Sequence, residues 1–151
     1  MTTITYETKN YETKNYETKN YETKNYETKT YETQTYSGFH MICDIKEIQE
    51  MDLLNDIESL KIILDIICKK YDFQILQKIE HKFEPQGSTI LYMLSESHIS
   101  IHTFPEKKYM ALDIYTCRHY NDNSTYEWIY NYLIETFGAK KEEPIIICRK
   151  F

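Results

Sequence analysis

Residues 94–117 read LSESHISIHTFPEKKYMALDIYTC, and their alternation decides the fold. In 109–117, Met110, Leu112 and Ile114 fall on one side and Ala111, Asp113, Tyr115 and Cys117 on the other, as the two-residue period of a strand requires. In 97–104 the same rule sets Ile99 and Ile101 against His98, Ser100 and His102. Pro105 marks the turn between the two runs. Two strands thus each offer an apolar side to a core and turn polar, reactive groups away from it.

The flanking segments supply the rest of the layer. Residues 38–46 (GFHMICDIK) read as a strand, 73–83 as a second one, and Pro85, Gln86 and Gly87 turn the chain into the apolar run 89–94. Leu53, Ile57, Leu60, Leu64 and Ile67 recur at spacings of four and three, which predicts a helix, with Asn55 and Glu58 as its capping box. A second helix is predicted from Ser124, with Glu127 as capping partner. It carries Ile129, Tyr130, Leu133, Ile134 and Phe137 on one stripe and stops at Gly138. Ile145, Ile146 and Ile147 supply a last strand. The order β-α-β-β-β-β-α-β predicts an α+β fold: a two-layer α/β sandwich of a mostly antiparallel sheet with two helices on one face.

Upstream the sequence changes character. From Tyr6 a pentad, YETKN, recurs four times, followed by YETKT, YETQT and Tyr36, and the segment holds seven of the fifteen tyrosines. A period of five matches neither helix nor strand, so no face can collect the rings. A five-residue solenoid would need small or aliphatic side chains pointing inward, which the pentad lacks. Residues 1–36 are therefore read as a low-complexity, disordered tail, and 37–151, with all five histidines, all four cysteines and every Gly and Pro, as the one working domain.

Composition excludes several classes. With 18 basic against 24 acidic residues the net charge is −6, the wrong sign for a general nucleic-acid binder. No apolar run approaches the ~18 residues of a membrane span, and the N-terminus lacks the apolar stretch of a signal peptide, so a cytoplasmic protein without a membrane partner is expected. Cys43, Cys68, Cys117 and Cys148 form no CxxC pair, which argues against a zinc knuckle or disulfide framework. Cys43, Cys68 and Cys148 lie in apolar stretches and are expected as buried small hydrophobes. No pair among His40, His81 and His119 has metal-site spacing within one element, so no metal is expected, and these three are assigned to structural or surface roles.

Ser95-Glu96-Ser97-His98, Ile101-His102-Thr103, Pro105-Glu106, Asp113 and Thr116-Cys117 resemble, in order and spacing, the S-adenosylmethionine decarboxylase family of the short prokaryotic type. The resemblance extends upstream through Phe83, Pro85, Gly87 and Thr89 and more loosely to Gly38 and His40, covering 37–151. It implies a proenzyme that cuts itself between Glu96 and Ser97, giving a β chain of 1–96 and an α chain of 97–151. Ser97 would become a covalent pyruvoyl group, with no pyridoxal phosphate and no metal. The serine hydroxyl would attack the preceding carbonyl to form an ester, and elimination and hydrolysis would leave the pyruvoyl. His102 resembles the processing base. Since Ser97 and His102 are five apart and a plain strand would face them oppositely, a bulge or bend is expected beside Ser97.

The implied reaction is decarboxylation of S-adenosylmethionine through a Schiff base on that pyruvoyl, with Cys117 as the proton donor to the substrate carbon. Glu106 would bind ribose hydroxyls, Phe83 would stack on adenine beside the sulfonium, and Thr89 would assist processing. His98 is open between a structural and a catalytic role. Cut protomers are expected to pair as a dimer of αβ pairs. Arginine or ornithine as substrate, and an unprocessed regulatory homologue, are the alternative readings. The chain departs from the family in its pentad tail, in Phe104 where tryptophan is common, and in Arg118 where glycine is frequent.

Overall fold

The computed structural model describes residues 36–150. The pentad repeat lies outside the described residues, apart from Tyr36, which opens the first strand. Strand β1 (Tyr36–Ile45) leads to helices α1 (Met51–Asn55) and α2 (Ile57–Lys70). Strands β2 (Ile75–Lys82), β3 (Ser88–Leu94) and β4 (Ser97–Phe104) follow. A 3-10 turn (Pro105–Lys107), β5 (Tyr109–Thr116), α3 (Ser124–Phe137) and β6 (Ile145–Lys150) complete the order. The described strands form one sheet, β2-β3-β4-β5-β1-β6, antiparallel at every pairing. The predicted strand order and α+β class stand. Among the described residues no helix is long and apolar enough to cross a membrane.

Three helices replace the expected two because Asp56 leaves helical geometry (φ −103°, ψ 106°) and splits the run. Asp56, rather than Asn55, caps α2 by accepting from the Ser59 amide at 3.1 Å. Asn55 is engaged elsewhere, its Oδ1 accepting from the Gly87 amide at 3.1 Å in the β2–β3 turn. The second predicted helix, α3, begins at Ser124 as expected, but its N-cap is Asn123 rather than Ser124, and the Ser124 amide donates to Asp122 Oδ1 at 2.9 Å. Gly138 ends α3 at φ +55°, as expected of a left-handed C-terminal residue.

One side of the sheet is buried with the helices in a single apolar cluster. Met41, Cys43 and Ile45 of β1, Ile90 and Tyr92 of β3, Ile99 and Ile101 of β4, and Met110, Leu112 and Ile114 of β5 share it with Leu60, Leu64, Ile67, Ile129, Leu133 and Phe137. Fully burying each large aliphatic or aromatic side chain contributes about 1.5–3 kcal/mol. Tyr92 belongs there because its hydroxyl donates to the Asp65 carboxylate at 2.9 Å, which offsets burying an O–H. Burial pushes the Cys43 and Cys68 thiols up to about 12, so both behave as inert hydrophobes. Cys148 does not: it lies exposed on edge strand β6, where only one neighbouring strand covers it.

Among the described residues the opposite face of the sheet carries no helix, and strand register arranges it in rows. The row nearest the β3–β4 turn runs Gln77, Met93, His98, Tyr115, His40, Ile147. The next runs Ile79, Leu91, Ser100, Asp113, Ile42, Ile145. The third holds His81, Thr89, His102, Ala111 and Asp44. Ile79, Met93 and Ile145 are 52%, 45% and 61% exposed, so this face combines the reactive groups with an uncovered apolar surface.

Candidate active site

Ser95 and Glu96 form a two-residue turn between β3 and β4, whose first pair is Leu94 with Ser97. Ser97 sits at φ +141°, in the region that only glycine enters freely, a conformation costing about 1–3 kcal/mol. The bend expected beside Ser97 is therefore present, and it falls on the residue itself. The Glu96 carbonyl accepts from the Cys117 amide at 2.9 Å. The Glu96 carboxylate is buried and held from two sides. It accepts from the Gln74 amide at 3.2 Å and from the Arg118 guanidinium at 3.2 and 2.5 Å. Arg118 also donates to the Tyr71 carbonyl at 2.7 Å and to that of Asp72, fastening the α2–β2 turn to the same point. Burial raises the Glu96 pKa, but the hydrogen bonds and charge of Arg118 outweigh it and hold the carboxyl below its ordinary value.

Cys117 follows β5 directly, and its thiol is exposed and free. Two features hold its backbone in place. A Cβ on Gly38 (φ +131°) would lie 2.0 Å from the Thr116 carbonyl oxygen and 2.7 Å from the Cys117 Cα, so only glycine lets β1 approach this closely. The Tyr126 hydroxyl of α3 donates to the Phe39 carbonyl at 2.9 Å. It meets the buried Thr116 hydroxyl at 2.8 Å, which ties the ends of β1 and β5 to the helix layer.

On the open face the Ser97 hydroxyl lies 3.1 Å from Nδ1 of His98. Nε2 of His98 lies 2.7 Å from Oδ1 of Asp113, and Nε2 of His40 lies 2.9 Å from Oδ2 of the same carboxylate. Burial raises the Asp113 pKa, yet hydrogen bonds and charge from both histidines outweigh it, and the carboxyl titrates below its ordinary value. His40, assigned from sequence to a structural or surface role, is thus part of a connected polar group on three adjacent strands. Donor atoms of His40, His98 and Asp113 all lie within 4.8 Å of one another. No spacing rule within one element could find such a group, because β4, β5 and β1 contribute one member each.

The remaining sequence candidates gather at the other end of β4. Nδ1 of His102 is 2.9 Å from the Thr89 hydroxyl, its partner across the β3–β4 ladder. His102, Thr89, Phe83 and Glu106 line one cleft of about 330 Å³ together with Gln86 and Phe104. The structure brings these four together, and separately brings together Glu96, Ser97 and Cys117. It does not join the two groups within one chain. Ser97 and His102 are both in β4, and five residues of extended strand span about 16 Å.

Comparison with known proteins bears on both groups. The family model described as S-adenosylmethionine decarboxylase matches residues 39–150. The S-adenosylmethionine decarboxylase proenzyme of Geobacillus kaustophilus (strain HTA426) is 36% identical over 100 residues, 66% of this chain and 77% of that one. The proenzyme of the same name from Clostridium botulinum (strain Langeland) is 38% identical over 107 residues, 71% and 89% of the two chains. The crystal structure of the adenosylmethionine decarboxylase from Aquifex aeolicus VF5 superposes with a TM-score of 0.67 at 26% identity, covering 78% of this chain and 93% of that one.

Proposed function

The chain belongs to the S-adenosylmethionine decarboxylase family, and on that premise we propose that it cuts itself between Glu96 and Ser97 and decarboxylates S-adenosylmethionine. The product would be the aminopropyl donor for spermidine synthesis, released with carbon dioxide. One observation carries the reading: the peptide bond before a strained Ser97 has its carbonyl fixed by the amide of Cys117, the residue with the exposed thiol.

That geometry fits a serine converted into a pyruvoyl group. The Cys117 N–H is aimed at the oxygen that becomes negative when the serine hydroxyl attacks the Glu96 carbonyl. The bound Arg118 keeps the Glu96 side chain from swinging away during the attack. A pyruvoyl supplies a carbonyl that takes up the substrate amine and draws off the electrons left by carbon dioxide. Cys117, held at the end of β5, then delivers its thiol proton to the substrate carbon.

The cleft at the other end of β4 is assigned to substrate. Phe83 offers an aromatic face for adenine and a neighbouring sulfonium, and Glu106 offers oxygens for ribose hydroxyls. Because about 16 Å separates His102 from Ser97 in one chain, both ends serve one site only if a second copy docks. The exposed Ile79, Leu91, Met93, Ile42, Ile145 and Ile147 of the open face give such a copy an apolar surface to cover. His102 of one protomer, with Thr89 beside it, would then reach Ser97 of the other as an acid–base group in processing.

The direct test is intact mass spectrometry under denaturing conditions, with and without a carbonyl-trapping amine. Two chains divided after Glu96, the smaller with a trappable carbonyl in place of Ser97, are expected. One uncut chain, stable over days, would overturn the reading in favour of a non-catalytic homologue.

A further inference from the structure

On the reading that the chain cuts itself between Glu96 and Ser97, we infer that His98 is the base that takes the Ser97 hydroxyl proton, with Asp113 and His40 as positioning residues. The hydrogen-bond directions follow from what each group can do. An ionised carboxylate only accepts, so Asp113 must receive an N–H from Nε2 of His98 at 2.7 Å and from Nε2 of His40 at 2.9 Å. A neutral His98 with its proton on Nε2 has a lone pair on Nδ1. The hydroxyl of Ser97, 3.1 Å away, therefore donates to that nitrogen. Serine, imidazole and carboxylate stand in the order in which an acid orients a base toward a nucleophile, with Asp113 half-buried at the end of the series.

Two further facts favour His98 over His102 for this step. Adjacent residues of a strand point to opposite faces, and the φ of +141° at Ser97 is what lets its hydroxyl meet the next side chain. His102 instead has its Nδ1 committed to Thr89 at 2.9 Å and could reach Ser97 only from a second copy, whereas His98 already meets the hydroxyl within its own chain. The same turn that strains the scissile bond delivers the serine to its base.

The step balances without any added reactant. Ser97 Oγ bonds to the Glu96 carbonyl carbon as its proton passes to His98 Nδ1, and the resulting oxyanion stays on the Cys117 N–H, 2.9 Å from the carbonyl oxygen it replaces. His98 then returns the proton to the Ser97 nitrogen while the carbon–nitrogen bond breaks. An ester and a free amine result, with His98 neutral again. The later elimination removes the Ser97 Cα proton, breaks the Cβ–Oγ bond and releases the main-chain carboxylate of Glu96 as the new C-terminus of the first chain. That step remains with His102. Water then replaces nitrogen, which leaves as ammonia.

The experiment follows self-processing of the freshly refolded full chain by mass spectrometry, with hydroxylamine to reveal an ester between residues 96 and 97. His98→Ala is expected to slow cleavage about 100-fold or more, to accumulate no ester, and to regain part of its rate with added imidazole. Asp113→Asn is expected to slow it about tenfold or more, because a carboxamide can donate to Nε2 and turn the proton to Nδ1. His102→Ala is expected to accumulate the ester. Wild-type cleavage is expected to be unchanged by EDTA. Cleavage of His98→Ala at the wild-type rate, or an ester accumulating in it, would remove His98 from the acyl shift. A folded His98→Ala chain slowed but indifferent to imidazole would do the same. Arrest by EDTA with recovery on adding zinc or magnesium would make the His40–His98–Asp113 group a metal site instead. Ser97→Ala separates the two levels: cleavage in that variant would overturn self-processing itself, whereas the other outcomes bear only on His98.

Discussion

The amide of Cys117 donates to the carbonyl of Glu96 at 2.9 Å, so the residue with the exposed thiol is fastened by its backbone to the bond expected to break. On the proposed mechanism, side chain and main chain of that residue serve different steps. Cys117→Ala keeps the amide, and cleavage is expected to continue while decarboxylation falls about 100-fold or more. Ser97→Ala is expected to lose both. Intact mass and carbon dioxide release, measured on the same preparations, check the pair. Loss of cleavage in Cys117→Ala would assign the thiol to processing.

Gly38 sets the approach of β1 to that same segment. In Gly38→Ala the new methyl would stand 2.0 Å from the Thr116 oxygen at a φ of +131°, so β1 or the Thr116–Cys117 backbone must move. Destabilisation of about 2 kcal/mol or more is expected from the urea midpoint, along with slowed cleavage. A variant with unchanged midpoint and rate would show that the two strands separate freely.

Arg118 pairs with the buried carboxylate of Glu96. Arg118→Gly is expected to cost about 2 kcal/mol at pH 7, the worth of hydrogen bonds to a charged group left unmade. The sign with pH follows from Glu96, whose folded-state pKa lies below its ordinary 4.5. Its contribution is fully present above 4.5 and is lost as pH falls through the lowered folded value. The gap between wild type and variant in denaturant unfolding should therefore be constant near neutrality and close in acid. A gap that persists in acid would mean that the Tyr71 and Asp72 carbonyls, not Glu96, are what Arg118 stabilises.

The open face yields a test of the second copy. Leu91 lies on the open face, paired with Ile79 on one side and Ser100 on the other. Leu91→Glu is expected to shift the protein to monomer in analytical ultracentrifugation with its circular dichroism intact, since the substitution leaves the helix-packed core alone. Co-expression of Ser97→Ala with His102→Ala should restore cleavage in a fraction of chains, because one of the two mixed sites then holds both native residues. Absence of any cleavage would confine the site to a single chain.

The sequence by itself determined the strands, their order and which reactive side chains each one carries. Alternation in 97–104 and 109–117 and the four-and-three spacing in 53–67 are local properties of the chain, and the spacing of Glu96, Ser97, His102 and Cys117 is local too. Gly138 as a helix stop was readable for the same reason, since a left-handed C-terminal residue is a local demand. The Asn55 cap was not, because its side chain is taken by Gly87, a residue 32 positions away.

Tertiary structure alone decided which of these residues meet. Strand register, a non-local ladder of backbone hydrogen bonds, brings His40, Asp113 and His98 together from β1, β5 and β4. The same register gathers Phe83, Thr89, His102 and Glu106 around one cleft while leaving Ser97 and Cys117 at the opposite end. Arg118 read from sequence as a departure, and only the folded α2–β2 turn shows that its guanidinium makes four hydrogen bonds, to two carbonyls and a carboxylate. Periodicity settles which face a side chain takes; the pairing of strands far apart in the chain settles its neighbours.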